Sequence, residues 1–110
     1  MQRDRMLWYA LASAAMIGLS SAAQAQAPAS AARGKDIAER VCAGCHRVND
    51  KPGGTVQGTD VPSFRAIAIR PYNSAESLQA AIMAPRHPMP AIPLELNEIR
   101  DVVAYMQSLK

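Results

Sequence analysis

The chain has 110 residues and a formal net charge of +3, with 49% hydrophobic and 19% charged residues. Lys and Arg are scattered from Arg33 to Lys110 without a dense run, which gives nucleic-acid binding no support and reads as an ordinary solvated surface. One Phe, one Trp and three Tyr are few for a small domain, where an apolar core alone is marginal, so something besides side chains is expected to help fill the middle.

The N-terminus opens with Arg3 and Arg5, runs through an apolar stretch from Met6 to Leu19, and ends in small residues up to Ala23-Gln24-Ala25. This order predicts a secretory signal peptide over 1–25, cleaved before Gln26, with a second candidate cut before Pro28. The rival is a retained anchor, but the apolar run falls short of the roughly 20 residues a spanning helix needs. The mature chain is thus expected in the periplasm, without a membrane span. Residues 26–32, rich in Ala, Pro, Ser and Gln, read as a flexible N-terminal segment, and 33–110 as one domain.

The first predicted helix runs from about Ala32 to Cys42, with Ile37, Ala38 and Val41 on one side and Lys35, Asp36, Glu39 and Arg40 largely on the other. From Arg47 to Val61 the periodicity stops, and Asn49-Asp50-Lys51-Pro52-Gly53-Gly54 and Gln57-Gly58-Thr59-Asp60 are turn chemistry. A short helix follows, with Pro62 suited to its first position and Phe64, Ile67 and Ala68 inward. Asn73, with Glu76 three residues on, has the form of a capping box for a third helix, whose apolar face is Leu78, Ala81 and Ile82. Pro85, Pro88, Pro90 and Pro93 then fix a stiff, extended loop. Ile99, Val102, Val103, Met106 and Leu109 recur at helical spacing in the last element, from about Asn97 to the end. The fold class is all-α, about four helices with long loops.

Cys42-Ala43-Gly44-Cys45-His46 carries the chemistry. Cys-x-x-Cys-His reads as a c-type haem attachment site, in which each thiol adds to one vinyl group and the next residue, His46, brings its imidazole to the iron. Small Ala43 and Gly44 let the backbone lie close to a flat ring. Three rivals use the same residues: a Cys42–Cys45 disulfide in an exported chain, a thioredoxin-like pair, and a zinc site. The thioredoxin reading lacks its strand-to-helix setting. The zinc reading would have to take Cys42, Cys45, His46 and His87 together.

A second iron ligand is expected from a methionine. Met106 lies on the apolar face of the last helix, and Met83, near the end of the third, reads as core. Met89, held between Pro88 and Pro90, is the expected thioether ligand, so the metal ligands are His46 and Met89 and the cofactor-binding set is Cys42, Cys45, His46 and Met89. His87, two residues away, is the competitor.

These residues resemble a class I cytochrome c in its short bacterial form, and the resemblance covers nearly the whole mature chain. Gly34 stands where that family places a glycine at the crossing of its terminal helices. Pro62-Ser63-Phe64 is similar to its stretch leading into the haem pocket, Met89-Pro90 to its ligand motif, and Glu98 through Met106 to its C-terminal helix, with Tyr105 as the aromatic at the crossing. Two positions depart. Ala38 replaces a usual large aromatic, leaving Ile37 or Tyr105 to fill the space, and Glu95 or Asn97 must begin the last helix. The resemblance implies a cytochrome c fold wrapped around one covalent haem c, lined by Ile37, Val41, Phe64, Ile67, Leu78, Ile82, Ile92 and Val102. It implies a single-electron carrier between a dehydrogenase-type donor and an oxidase- or reductase-type acceptor. Redox partner proteins would dock weakly at an exposed haem edge, whether the chain works alone or as a subunit of a larger redox complex. An enzyme is not expected. Two other functions stay open: a ligand-binding or sensing haem protein with a displaceable sixth ligand, and a haem-free secreted helical module.

Overall fold

The computed structural model describes residues 26–49 and 61–110. The expected signal peptide over 1–25 and the expected turn residues from 50 to 60 lie outside the described residues. Within them the chain forms α1 (Ala31–Val41), α2 (Phe64–Ala68), α3 (Ala75–Met83) and α4 (Leu96–Gln107), in that order, and no strand.

The first three helices each start where a short polar side chain takes an orphan amide. Ser30 Oγ accepts from the Arg33 N–H at 3.2 Å, Ser63 Oγ from Ala66 at 3.1 Å and Ser74 Oγ from Ser77 at 3.2 Å. In α4, Glu98 reaches back to the Glu95 N–H at 2.8 Å, the capping-box geometry. Glu95 is therefore the residue that begins the last helix. Two expectations are corrected. Ser74, not Asn73, caps α3, because the Asn73 amide is used elsewhere, donating to the Ile67 carbonyl at 2.8 Å. Pro62 stands two residues before α2 rather than at its first position, because Ser63 is the cap.

α4 is the hub: α1 crosses it closely, and α2 and α3 also pack on it. The crossing needs Gly34. A Cβ there would overlap the Asp101 carbonyl and lie 2.8 Å from the Val102 nitrogen, both main chain. Only a residue without a side chain lets the helices approach this far. Around the crossing Ile37, Ala38, Val48, Phe64, Leu78, Ile99, Val102, Val103, Tyr105 and Met106 form one buried cluster. Ala38 is fully covered, so the space left by its missing aromatic is closed by neighbours that include Ile37 and Tyr105 in the same cluster. The Tyr105 hydroxyl donates to the Val48 carbonyl at 2.6 Å, a buried bond across the core.

Val41, Ala81 and Met83 lie outside the protein cluster packed on α4. Asp101 is the one buried charged side chain among the described residues. It accepts from Ser30 N–H at 2.6 Å and from Arg33 Nε at 2.8 Å and Nη2 at 3.1 Å, and so ties the start of α1 to the middle of α4.

Candidate functional site

α1 runs directly into the Cys42–His46 turn. The Cys42 and Ala43 amides share the Ala38 carbonyl at 2.9 and 3.0 Å, and the Cys45 and His46 amides return to the Cys42 carbonyl at 3.2 and 2.9 Å. One carbonyl thus closes a turn that carries both thiols and the imidazole. Cys42 is half-buried and Cys45 exposed, each an unpaired thiol. Burial pushes the Cys42 thiol up from its ordinary value. A Cβ at Gly44 would meet nothing within 4 Å. That flank of the turn is open, as a flat ring attached through the two sulfurs requires.

His46 is half-buried and oriented from behind. Its Nδ1 lies 2.8 Å from the Pro62 carbonyl. A carbonyl only accepts, so Nδ1 carries the proton and Nε2 is left with its lone pair for a metal. Phe64 packs against the ring with centroids 5.6 Å apart and planes tilted by 56°, and Tyr105 backs Phe64 at 6.4 Å. The Phe64 amide donates to the Arg47 carbonyl at 3.0 Å, which fixes α2 beside the motif. The Pro62 carbonyl is the orienting group that sequence reasoning missed. Every residue carries a carbonyl, so no residue type announces it.

Next to His46, the Arg47 Nε is buried and without a hydrogen-bond partner among the described residues. An orphaned buried donor is costly unless an acceptor outside the protein meets it. A carboxylate-bearing cofactor against this turn supplies such acceptors, and together with the open flank and the free Nε2 this makes the residues fit a haem.

Met89 is on a separate loop, between α3 and α4, its amide donating to the Arg86 carbonyl at 3.0 Å. It is half-buried, while His87 is exposed. Met106 is core, with 4% exposure. Among the described residues no three His, Cys, Asp or Glu side chains gather to hold a metal ion, so the zinc set of Cys42, Cys45, His46 and His87 is not assembled. No helix of the described residues is long and apolar enough to cross a membrane.

Comparison with known proteins agrees with this geometry. The cytochrome c family model matches residues 31–110, the full span from the first turn of α1 to the C-terminus. Cytochrome c-552 of Bradyrhizobium diazoefficiens is 38% identical over 95 residues, covering 86% of this chain and 89% of the relative. No solved structure matches the chain significantly. The covalent motif, the helix crossing and the extent of both matches lead to one conclusion: this chain belongs to the cytochrome c family, the electron carriers built on a covalently bound haem c.

Proposed function

We propose that the protein is a periplasmic single-electron carrier whose haem is bound through Cys42 and Cys45 and whose iron is held by His46 Nε2 and Met89. The observation that carries this reading is the 2.8 Å contact between His46 Nδ1 and the Pro62 carbonyl. It fixes the tautomer and aim of the imidazole. The haem, when bound, supplies an iron that changes oxidation state by one electron. The chain's own work is to hold that iron still. A ring fixed by Pro62 and Phe64 cannot swing between oxidation states, and a thioether on a proline-flanked loop is restrained in the same way, so little rearrangement accompanies transfer. The buried face of Ile37, Phe64, Leu78 and Val102 excludes water from the pocket side. Met89 is favoured over His87 because it is the half-buried one of the pair. A soft thioether stabilises the reduced state and raises the potential. Partners of the dehydrogenase and oxidase or reductase types would then meet the exposed Cys45 side in brief, weak complexes.

The test is the far-red spectrum of the oxidised protein, matured in a haem-attaching periplasm. Wild type and His87→Ala are expected to show the weak sulfur-to-iron band, and Met89→Ala to lose it. A low-spin wild-type spectrum without the band, or a band that persists in Met89→Ala, would overturn the ligand assignment. A high-spin wild-type spectrum would favour ligand binding or sensing instead.

A further inference from the structure

The segment ahead of α1 is tied to the helix crossing at three points. Arg100 Nη1 donates to Gln26 Oε1 at 2.6 Å, Arg33 Nη2 to the Pro28 carbonyl at 3.2 Å, and the Ser30 amide to Asp101 Oδ1 at 2.6 Å. Gln26, Ala27 and Ala29 form one wall of a surface pocket of about 360 Å³, whose other wall is Arg33, Leu96 and Arg100. The Arg100–Gln26 bond spans almost the whole mature sequence and falls on the residue that the Ala23-Gln24-Ala25 cleavage signal would make the first.

We propose that the exported chain begins at Gln26 and that this residue closes to a pyroglutamyl lactam, with Arg100 holding the carbonyl oxygen during and after closure. The inference rests on the export reading given under Proposed function. In the step, the free α-amine of Gln26 attacks its own side-chain Cδ. A bond from the α-nitrogen to Cδ forms, the bond from Cδ to Nε2 breaks, and Nε2 leaves as ammonia, taking a proton from the amine. No oxidant or second reactant is needed. Oxygen Oε1 is the atom on which negative charge builds as the amine adds, and the Arg100 guanidinium already donates to it. A charged donor in place at that oxygen lowers the barrier to addition. The same oxygen becomes the lactam carbonyl, so the contact with Arg100 outlives the reaction. Closure also removes an α-ammonium that would otherwise share this corner with the Arg33 and Arg100 guanidiniums. The Asp101 carboxylate does not offset that charge freely, since it is committed to Arg33 and to the Ser30 amide. The lactam then acts as an uncharged clasp that holds the N-terminal segment on α4.

The experiment is intact-mass measurement and amine-dependent N-terminal sequencing of the full-length gene product, purified as holoprotein from a haem-attaching periplasm. A chain starting at residue 26, blocked and lighter by one ammonia, is the expected result. A chain starting at residue 26 with an intact, sequenceable Gln would overturn the lactam and leave the export reading standing. A start at Pro28, or retention of residues 1–25, would overturn the lactam together with the cleavage site it depends on. For the role of Arg100, Arg100→Ala is compared with wild type as the freshly exported proteins age, with an unchanged haem spectrum showing that the variant is folded. Closure is expected to slow roughly tenfold, as loss of one charge-assisted hydrogen bond would give. Equal rates would remove Arg100 from the proposal.

Discussion

Replacing Gly34 with alanine puts one methyl group where α1 meets the main chain of α4. The new Cβ would overlap the Asp101 carbonyl and sit 2.8 Å from the Val102 nitrogen. Neither atom can turn aside as a flexible side chain would. The Asp101 peptide is held within α4, and its side chain is anchored to Ser30 and Arg33 on the facing helix. Relief therefore requires the helices to separate, which loosens the packing of Ile37, Ala38 and Val102 at once. Alanine is favoured over glycine in a helix by about 1 kcal/mol. Overpacking a tight site costs about 1–3 kcal/mol, and a clash against main chain belongs at or beyond the upper end of that range. The net loss is about 2 kcal/mol or more, which in a domain of this size lowers Tm by roughly 8–16 °C. Thermal unfolding of the holoprotein, followed both by far-ultraviolet circular dichroism and by the haem absorption, measures it. A variant with unchanged or raised Tm would show that propensity outweighs the contact, and the reasoning about the crossing would fail.

Tyr105→Phe removes a buried donor and strands the Val48 carbonyl, costing about 1–2 kcal/mol in denaturant unfolding while leaving the haem spectrum unchanged. Ser74→Ala should cost about 1 kcal/mol by the same assay, and a silent result would return the cap of α3 to Asn73. The hydrogen bond from Arg33, helped by the Ser30 amide against the cost of burial, holds the Asp101 carboxyl below its ordinary value of 3.8. A carboxyl depressed in the folded state contributes stability that is complete above the ordinary value and is lost as pH falls through the lower folded one. Asp101→Asn should therefore be less stable at neutral pH and lose less on acidification, as Tm measured from about pH 6 to about pH 2 will show. Parallel acid limbs for the two proteins would refute the pairing.

The parts of this molecule governed by periodicity and covalent spacing could be read from the chain. α4 was legible because Ile99, Val102, Val103 and Met106 must share one stripe to be buried, and all four are. The motif turn was legible because two thiols and an imidazole at that spacing have few other uses. The rest depended on partners distant in sequence. Asn73 and Ser74 are both good caps, and the choice between them was made by the Ile67 carbonyl, which claims the Asn73 amide. Met83 has the composition of a core residue but stands at the end of α3, outside the cluster on α4. Asp101 looks like one more solvated charge on a polar face until α1 folds across it and Arg33 and Ser30 arrive. The Pro62 carbonyl carries no side-chain signal at all.

The contacts that orient His46 also define a neck. His46 pairs with Pro62, and one residue further on Arg47 pairs with Phe64. The two bonds sew the chain together at both ends of the stretch they enclose. Once a neck is closed, the length of what it encloses matters little, since doubling a loop costs only about 0.6 kcal/mol more in closure entropy. The aim of the imidazole is thus set by His46, Arg47, Pro62 and Phe64 at the neck itself.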